Sequence, residues 1–138
     1  MTDHSLADHP DQAVVLLFVP GAFTRVCTEE LCTQSREIEA YEELDAVVYG
    51  ITVDSAYCQA AWARQEGITI PLLSDFTHRV TQAYDVVLPD LGGLGPASKR
   101  AVFIIKDGVI AYSEVTASTL DMPDFTAVRA ALSSLTHG

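Results

Sequence analysis

Two apolar stretches flank one amphipathic stretch at the start of the chain. Residues 13–19 (AVVLLFV) and 46–53 (AVVYGITV) are apolar and rich in β-branched residues, which is typical of strands buried on both faces of a sheet. Pro20 and Gly21 end the first stretch. Between about 28 and 44, apolar residues recur at spacings of seven and three among glutamates, namely Leu31, Ile38 and Tyr41. This spacing predicts a helix that begins close to Cys27.

The middle of the chain predicts a second helix. Asp54 and Ser55 carry side-chain oxygens that can cap a helix running to Gln65, and Gly67 ends it. Two shorter apolar segments follow, at 70–73 and 80–87.

The last third of the chain predicts a loop, a hairpin and a final helix. Glycine and proline in 91–98 indicate a loop. Apolar segments at 101–105 and 109–115 flank Asp107-Gly108, a strong signal for a two-residue hairpin turn. A carboxy-terminal helix is expected to bury one apolar face, made of Phe125, Val128, Ala131, Leu132 and Leu135.

The order of these elements predicts an α/β fold. Strand, helix, strand, helix, hairpin and final helix imply a mostly parallel sheet with one antiparallel edge and helices on both faces. The chain has 138 residues, 49% of them hydrophobic, and a mean hydropathy of +0.20, enough for one core. We expect residues 1–138 to form a single domain.

Charge narrows the range of partners. Eight lysines and arginines against 19 aspartates and glutamates give a formal net charge of −11, which repels nucleic acids and anionic membranes. No apolar run approaches the roughly 18 residues of a membrane span, and the amino terminus is acidic where a secretory signal would be basic. We therefore expect a cytoplasmic protein without nucleic-acid or membrane partners. Adaptation to high salt and ordinary solubility both explain an acidic surface with only two lysines.

Cysteine is the expected carrier of the chemistry. Three cysteines are an odd number, which argues against a static disulfide framework and suggests a chemically active thiol. No phosphate loop, nucleotide fingerprint, haem attachment or flavin signature is present, so no cofactor is expected. The four histidines, His4, His9, His78 and His137, show no ligand spacing with a cysteine, and no metal site is expected.

The segment with the most chemical information runs from Pro20 to Cys32 (PGAFTRVCTEELC). Here a buried strand turns into a helix, and Cys27 lies at the helix start. Free backbone N–H groups and the positive end of the helix dipole stabilise a thiolate at such a position. The alternative is a small apolar residue packed beneath the turn.

This segment resembles the active site of the peroxiredoxins, whose pattern is Pro, three residues, Thr or Ser, two residues and the peroxidatic Cys. Pro20, Thr24 and Cys27 match it without a gap. Glu30 matches the glutamate that follows that cysteine by three residues, and Cys32 matches the resolving cysteine of the bacterioferritin-comigratory branch. The resemblance continues at 53–55, 61–62, 71–75 and 100–110, so that it covers nearly the whole chain.

The resemblance implies a thioredoxin-like fold with one departure. Members of the family usually begin with a β-hairpin before the strand that corresponds to 13–19, and we expect this chain to lack it. We expect this difference to affect stability and oligomer packing more than catalysis. The sequence leaves monomer and homodimer open.

The resemblance also implies a thiol peroxidase acting on hydrogen peroxide or an alkyl hydroperoxide, with thioredoxin or a similar dithiol protein as reductant. Cys27 would attack the peroxide and the Thr24 hydroxyl would accept from it and donate to it. Arg100 and the Cys27 backbone N–H would stabilise the thiolate and the transition state. Pro20 would shield the pocket from water, and Glu30 would pair with an arginine or complement the helix N-terminus.

Each of these residues has a simpler interpretation. Thr24 could be a helix cap or turn hydroxyl, and Arg100 could be a surface charge at a strand end. Cys32 could be a buried helical thiol, and Cys58 a small packed residue or an alternative resolving thiol. Arg25, at a variable position of the motif, is expected to face solvent.

Pairing Cys27 with Cys32 requires a conformational change. On a regular helix the two residues are about 7.5 Å apart along the axis and point to different sides. We therefore expect the first turns of the helix to melt before Cys32 condenses with an oxidised Cys27.

Two functions compete with the peroxidase. The first is a non-catalytic redox-sensing or binding module, in which oxidation of Cys27 changes partner affinity. The second is a general disulfide oxidoreductase, although that chemistry favours Cys-x-x-Cys, and four residues separate Cys27 from Cys32.

Overall fold

A computed structural model describes residues 11–137 of the chain, with side chains through residue 135. The predictions for His4, His9 and the acidic amino terminus fall outside the described residues, as does the side chain of His137. Within the described part, no helix is long and apolar enough to cross a membrane.

Seven strands and five helices are found among the described residues. In chain order they are β1 (Ala13–Phe18), α1 (Arg25–Arg36), α2 (Ile38–Glu43), β2 (Ala46–Thr52), α3 (Ala56–Glu66), β3 (Leu72–Ser74), α4 (Arg79–Ala83), β4 (Val87–Leu88), β5 (Ala97–Ser98), β6 (Ala101–Lys106), β7 (Val109–Val115) and α5 (Phe125–His137).

Five strands form the central sheet in the order β3-β2-β1-β6-β7. The pairs β1–β2 and β2–β3 are parallel, whereas β6 runs antiparallel to both β1 and β7. Four of the five strands therefore point the same way, and the β6–β7 hairpin forms one side of the sheet. This is the predicted α/β architecture. β4 and β5 make a separate two-stranded ladder.

The first strand is apolar throughout because both of its faces are covered. Val15 and Leu17 point into a core shared with α1, α2, α3 and α5, whereas Leu16 and Phe18 pack on the opposite face. That second face is covered by the segment after α4, which contributes Tyr84 and Val86 to the second cluster.

The predicted capping and turn residues occupy the expected positions. The Ser55 side chain accepts a hydrogen bond from the Cys58 backbone N–H at 3.1 Å, and Gly67 ends α3 with φ of 73°. Asp107 and Gly108 join β6 to β7 with φ of 53° and 76°, the backbone of a tight hairpin turn.

The helix expected over about 28–44 begins at Arg25, close to Cys27 as predicted, but it is not continuous. It is broken at Glu37 into α1 and α2. The Glu37 N–H bonds to the Gln34 carbonyl in a tighter turn. Because Leu31 and Tyr41 are both buried on either side of the break, the apolar spacing continues through it and could not reveal it.

Two further predictions need correction. The segment 91–98 is not all loop, since Ala97 and Ser98 pair with β4. On α5, Val128 and Leu132 are fully buried, but Leu135, near the end of the helix, is 36% exposed.

This difference along α5 gives a stability prediction. Leu132→Ala should lower the free energy of unfolding by about 2–5 kcal/mol, because it leaves a cavity in the core. Leu135→Ala, the same change one turn later, should cost at most about 1 kcal/mol. Denaturant unfolding of both variants measures the difference, and equal losses would contradict the assigned face of α5.

Candidate active site

Cys27 is the third residue of α1 and lies where β1 turns into that helix. Its side chain is 1% exposed, and Pro20 and Gly21 of the preceding turn are also buried. In the first turn of a helix the backbone N–H groups have no acceptor within the helix, and the dipole favours an anion. The strand-to-helix turn therefore gives Cys27 the environment expected from the sequence.

Arg100 reaches Cys27 because of the sheet topology. It immediately precedes β6, and the antiparallel register places Ala101 opposite Phe18, at the end of β1 where the Cys27 turn begins. Arg100 is buried, and its Nη2 lies 3.3 Å from the Cys27 Sγ. The interpretation of Arg100 as a surface charge is therefore wrong.

Glu30 completes a buried trio with Cys27 and Arg100. One turn after Cys27 on α1, it accepts a hydrogen bond on Oε1 from the Arg100 Nη1 at 2.8 Å. Of the two roles expected for Glu30, it has the first, pairing with an arginine. Its other oxygen, Oε2, is buried and has no hydrogen-bond partner among the described residues.

A backbone carbonyl fixes the orientation of the guanidinium. The Thr119 carbonyl accepts from the Arg100 Nε at 3.0 Å and from its Nη2 at 2.8 Å. Sequence reasoning missed Thr119, because a carbonyl acceptor can come from any residue type and leaves no signal in the sequence.

Burial and charge act against each other in this trio. Burial raises the pKa of Glu30 to about 7, even though Arg100 lowers it. Burial disfavours the charged guanidinium, but Cys27 and Glu30 outweigh this effect and raise the pKa of Arg100. Two groups that can be anionic therefore share one cation in a site shielded from water.

Thr24 occupies the N-cap position of α1 but does not cap the helix. Its hydroxyl donates to the Gly21 carbonyl at 2.7 Å, which closes the turn before the helix. Of the two simpler interpretations, the turn hydroxyl is the one observed. Because the hydroxyl proton is used within the turn, the oxygen is left as an acceptor.

A carboxylate from the neighbouring strand holds the same turn. Asp54 follows β2 and accepts a hydrogen bond on Oδ2 from the Ala22 backbone N–H at 2.7 Å. From the sequence, Asp54 is expected only to help cap the next helix, a role that Ser55 performs. The predicted strands could have indicated this contact. β1 and β2 are adjacent and parallel, so their carboxyl ends lie at the same edge of the sheet, and the segments that follow them meet there.

Phe23, in the middle of the turn, has a left-handed backbone conformation. Its φ is 61°, which is unusual for a bulky residue, and its ring is 49% exposed. The ring centroid lies 6.5 Å from that of the buried Trp62 on α3.

Comparison with known proteins identifies the family of this chain. Residues 1–113 match the model of the AhpC/TSA family. The chain belongs to the AhpC/TSA family. It is 36% identical to peroxiredoxin-2 of Pongo abelii over 122 residues, which are 83% of this chain and 66% of that protein. It is 32% identical over 114 residues to a protein of Echinococcus granulosus named thioredoxin peroxidase, covering 78% of this chain and 57% of the relative.

A solved structure extends the family likeness to the fold. Peroxidoxin BcpB from Mycobacterium tuberculosis has 30% identity and a TM-score of 0.79, with 92% of this chain and 82% of that chain covered. The fold is thioredoxin-like, as the resemblance implied. The chain spans half to two thirds of the length of the curated relatives it matches.

The other two cysteines of this AhpC/TSA-family chain lie apart from the trio. Cys32 is partly buried on α1, and its thiol donates to the Glu66 carbonyl at 3.4 Å. Burial, reinforced by Glu66, raises the pKa of Cys32, and burial together with Asp54 raises that of Cys58. All three thiols are free, and α1 is unbroken between Cys27 and Cys32.

Arg25 faces solvent, as predicted. Its side chain is 73% exposed and forms a surface ion pair with Glu29 at 3.3 Å. This exposed pair lies on the same helix as the buried Glu30, so it serves as a control for the chemistry of the site.

The raised pKa of Glu30 predicts how stability depends on pH. A group whose pKa is higher in the folded state stabilises the fold below its unfolded pKa, near 4.5, and loses that contribution as pH rises through about 7. Relative to Glu30→Gln, the wild type should therefore lose about 3 kcal/mol of unfolding free energy between pH 4 and 8. Denaturant unfolding across that range measures the difference.

Glu29→Gln is the matched control for this measurement. Glu29 is the adjacent carboxylate on α1 but is exposed, so its difference from wild type should change little over the same range. A wild-type to Glu30→Gln difference that is constant with pH would contradict the buried, perturbed carboxyl.

Proposed function

We propose that this protein is a thiol peroxidase that reduces hydrogen peroxide and organic hydroperoxides through Cys27. The observation that carries the proposal is the buried Cys27 sulfur, 3.3 Å from the Arg100 guanidinium at the N-terminus of α1. A cation and a helix N-terminus on one sulfur favour the thiolate, the nucleophile that peroxide reduction needs. Membership of the AhpC/TSA family supports the same activity.

The first step would consume one peroxide. The Cys27 thiolate attacks the terminal oxygen of R–O–O–H, the O–O bond breaks, and Cys27 becomes a sulfenic acid. The leaving oxygen departs as RO⁻ and takes up a proton to give water or an alcohol. Arg100 and the Cys27 N–H would stabilise the negative charge that moves from sulfur to oxygen.

The Thr24 hydroxyl would orient the peroxide by accepting a hydrogen bond from it. Because its own proton goes to the Gly21 carbonyl, its oxygen is available to accept from the peroxide hydroxyl. This is one half of the role expected from the sequence, which also included donation. Buried Pro20 would shield the turn from water, and Asp54 would hold the turn in place through the Ala22 N–H.

The second step would form a disulfide. The Cys32 sulfur attacks the sulfenic sulfur of Cys27, and water leaves. Because both residues lie on one unbroken helix, α1 has to unwind locally for their sulfurs to meet. A dithiol protein such as thioredoxin would then reduce the disulfide, in keeping with the name of the Echinococcus granulosus relative. The cytoplasmic location stays a prediction from the sequence.

The first test of this function is the rate of Cys27 oxidation in rapid-mixing experiments with hydrogen peroxide and an alkyl hydroperoxide. Arg100→Ala should lower the rate constant by about 100-fold or more, since it removes the cation beside the sulfur. Arg25→Ala, the exposed arginine on the same helix, should react like the wild type. Cys27→Ser should not consume peroxide, and full consumption by this variant would refute the mechanism.

The same proteins separate the peroxidase from its rivals. Steady-state peroxide consumption with a thioredoxin system distinguishes an enzyme from a sensing module, which would be oxidised once without turnover. Reduction of insulin disulfides would instead indicate a general disulfide oxidoreductase.

The resolving thiol is tested by mapping disulfides after one equivalent of peroxide. We expect a Cys27–Cys32 bond in the wild type and in Cys58→Ser, because the Cys58 thiol is not needed for it. Cys32→Ser should instead accumulate Cys27 sulfenic or sulfinic acid. A Cys27–Cys58 disulfide in the wild type would overturn the assignment of Cys32.

A further inference from the structure

The side chain of Thr28, the residue after Cys27, ties two helices together. Its Oγ1 donates to the Thr24 carbonyl at 2.7 Å and accepts from the Trp62 Nε1 at 3.0 Å. The Thr28 backbone N–H bonds to the same Thr24 carbonyl at 3.0 Å. Since Trp62 is fully buried on α3, the hydroxyl joins the first turn of α1 to a fixed point in the core.

The hydrogen bonds between Thr28 and Thr24 connect residues on either side of Cys27 in the sequence. Thr24 is the N-cap of α1 and Thr28 lies one turn later, so the Cys27 backbone lies between them. Any unwinding that frees Cys27 from the helix breaks the hydrogen bonds of Thr28. Unwinding is required, because a disulfide needs Cα atoms about 4.4–6.8 Å apart, whereas five residues of helix rise about 7.5 Å.

The contacts that hold α1 differ on the two sides of Cys27, and we expect the helix to open from its amino-terminal end. Beyond Cys27, α1 is held by the buried Leu31 and by the Glu30–Arg100 ion pair. Before Cys27, Val26 is buried, but Arg25 is exposed, and Phe23 has an unfavourable left-handed backbone that opening would relax. Opening from this end therefore has to break the hydrogen bond between Thr28 on α1 and Trp62 on α3.

We infer that Thr28 is a positioning residue for the resolving step, whose hydroxyl holds the first turn of α1 against Trp62 and so slows capture of oxidised Cys27 by Cys32. This inference rests on the proposed function. It concerns which of two reactions the sulfenic acid undergoes. In one, Cys32 attacks it and water leaves; in the other, a second hydroperoxide converts it to sulfinic acid, and the hydroperoxide is reduced to an alcohol or water.

The hydrogen bond between Thr28 and Trp62 favours further oxidation of Cys27 over disulfide formation. While the turn is closed, Cys32 is out of reach and only a small peroxide reaches the sulfur. Weakening the closed state raises the open fraction and with it the rate of disulfide formation. The first oxidation step, which takes place in the closed helix, is not expected to change.

The test compares Thr28→Val with Thr28→Ser. Valine has the shape of threonine but makes neither hydroxyl bond, whereas serine keeps both. Thr28→Val should form the Cys27–Cys32 disulfide about three- to tenfold faster, as expected for the loss of the hydrogen bond between Thr28 and Trp62. It should also yield less sulfinic acid at high peroxide, with the first-step rate within about twofold of wild type. Thr28→Ser should behave like the wild type.

Two further variants control for changes in the fold. Thr33→Val makes the same substitution at an exposed position of α1 and should change neither rate. Trp62→Phe removes the indole donor without leaving an unpaired N–H, so it should raise the disulfide rate even if Thr28→Val folds poorly. Combining Trp62→Phe with Thr28→Val should then add little, because each removes the Thr28–Trp62 bond.

A second readout is independent of peroxide chemistry. In a reduced Cys32→Ser, Cys58→Ser background, alkylation of Cys27 requires opening because the thiol is 1% exposed. Thr28→Val should speed this alkylation several-fold, and an unchanged alkylation rate would overturn the inference. So would faster alkylation with an unchanged or slower disulfide rate. Absence of the Cys27–Cys32 disulfide in the wild type, with alkylation faster in Thr28→Val, would instead refute the proposed resolving step.

Discussion

The structure of the site depends on one buried guanidinium. Arg100 donates from Nε, Nη1 and Nη2 to the Thr119 carbonyl, Glu30 and Cys27, so every nitrogen has a partner. Removing one partner of a buried ion pair costs about 3–5 kcal/mol. Glu30 therefore has a role beyond the resting state. Under the proposed cycle Cys27 loses its charge when it is oxidised, and Glu30 keeps Arg100 paired when that happens.

The topology of the sheet is what brings these groups together. Cys27 and Glu30 lie on α1, the first helix after β1, while Arg100 lies 73 residues after Cys27 and 70 after Glu30. If the strand after Arg100 ran parallel to β1, it would begin beside the first residue of β1, at the opposite end of the strands. Because β6 is antiparallel to β1, its first residue lies beside the last residue of β1. The antiparallel hairpin thus has a chemical consequence as well as an architectural one.

Much of the fold and part of the site follow from the sequence, for physical reasons that differ between residues. Apolar runs predict β1 and β2, and Ser55, Gly67 and Asp107-Gly108 predict ends and turns, because these signals are local. The motif around Cys27 predicts the residues that the structure brings together, although their roles in catalysis stay a proposal.

What the sequence could not predict involves contacts between distant segments or bonds to the backbone. The Thr119 carbonyl leaves no trace in residue type. Thr28 and Trp62 lie 34 positions apart, and each has an ordinary alternative as a helix residue and a core residue. The break at Glu37 is hidden because the apolar spacing continues across it. Local patterns identify elements and motifs, whereas these features depend on how the elements pack.

The burial of Cys27 has a consequence for which molecules it can react with. Because Cys27 is only 1% exposed, a small peroxide can reach its sulfur, but a folded protein cannot bring its own thiol within bonding distance. Under the proposed cycle, opening of α1 exposes the oxidised sulfur at the same time as it lets Cys32 approach. A protein reductant would then distinguish the oxidised from the reduced form by shape alone, since only the oxidised form presents the Cys27 sulfur at the surface.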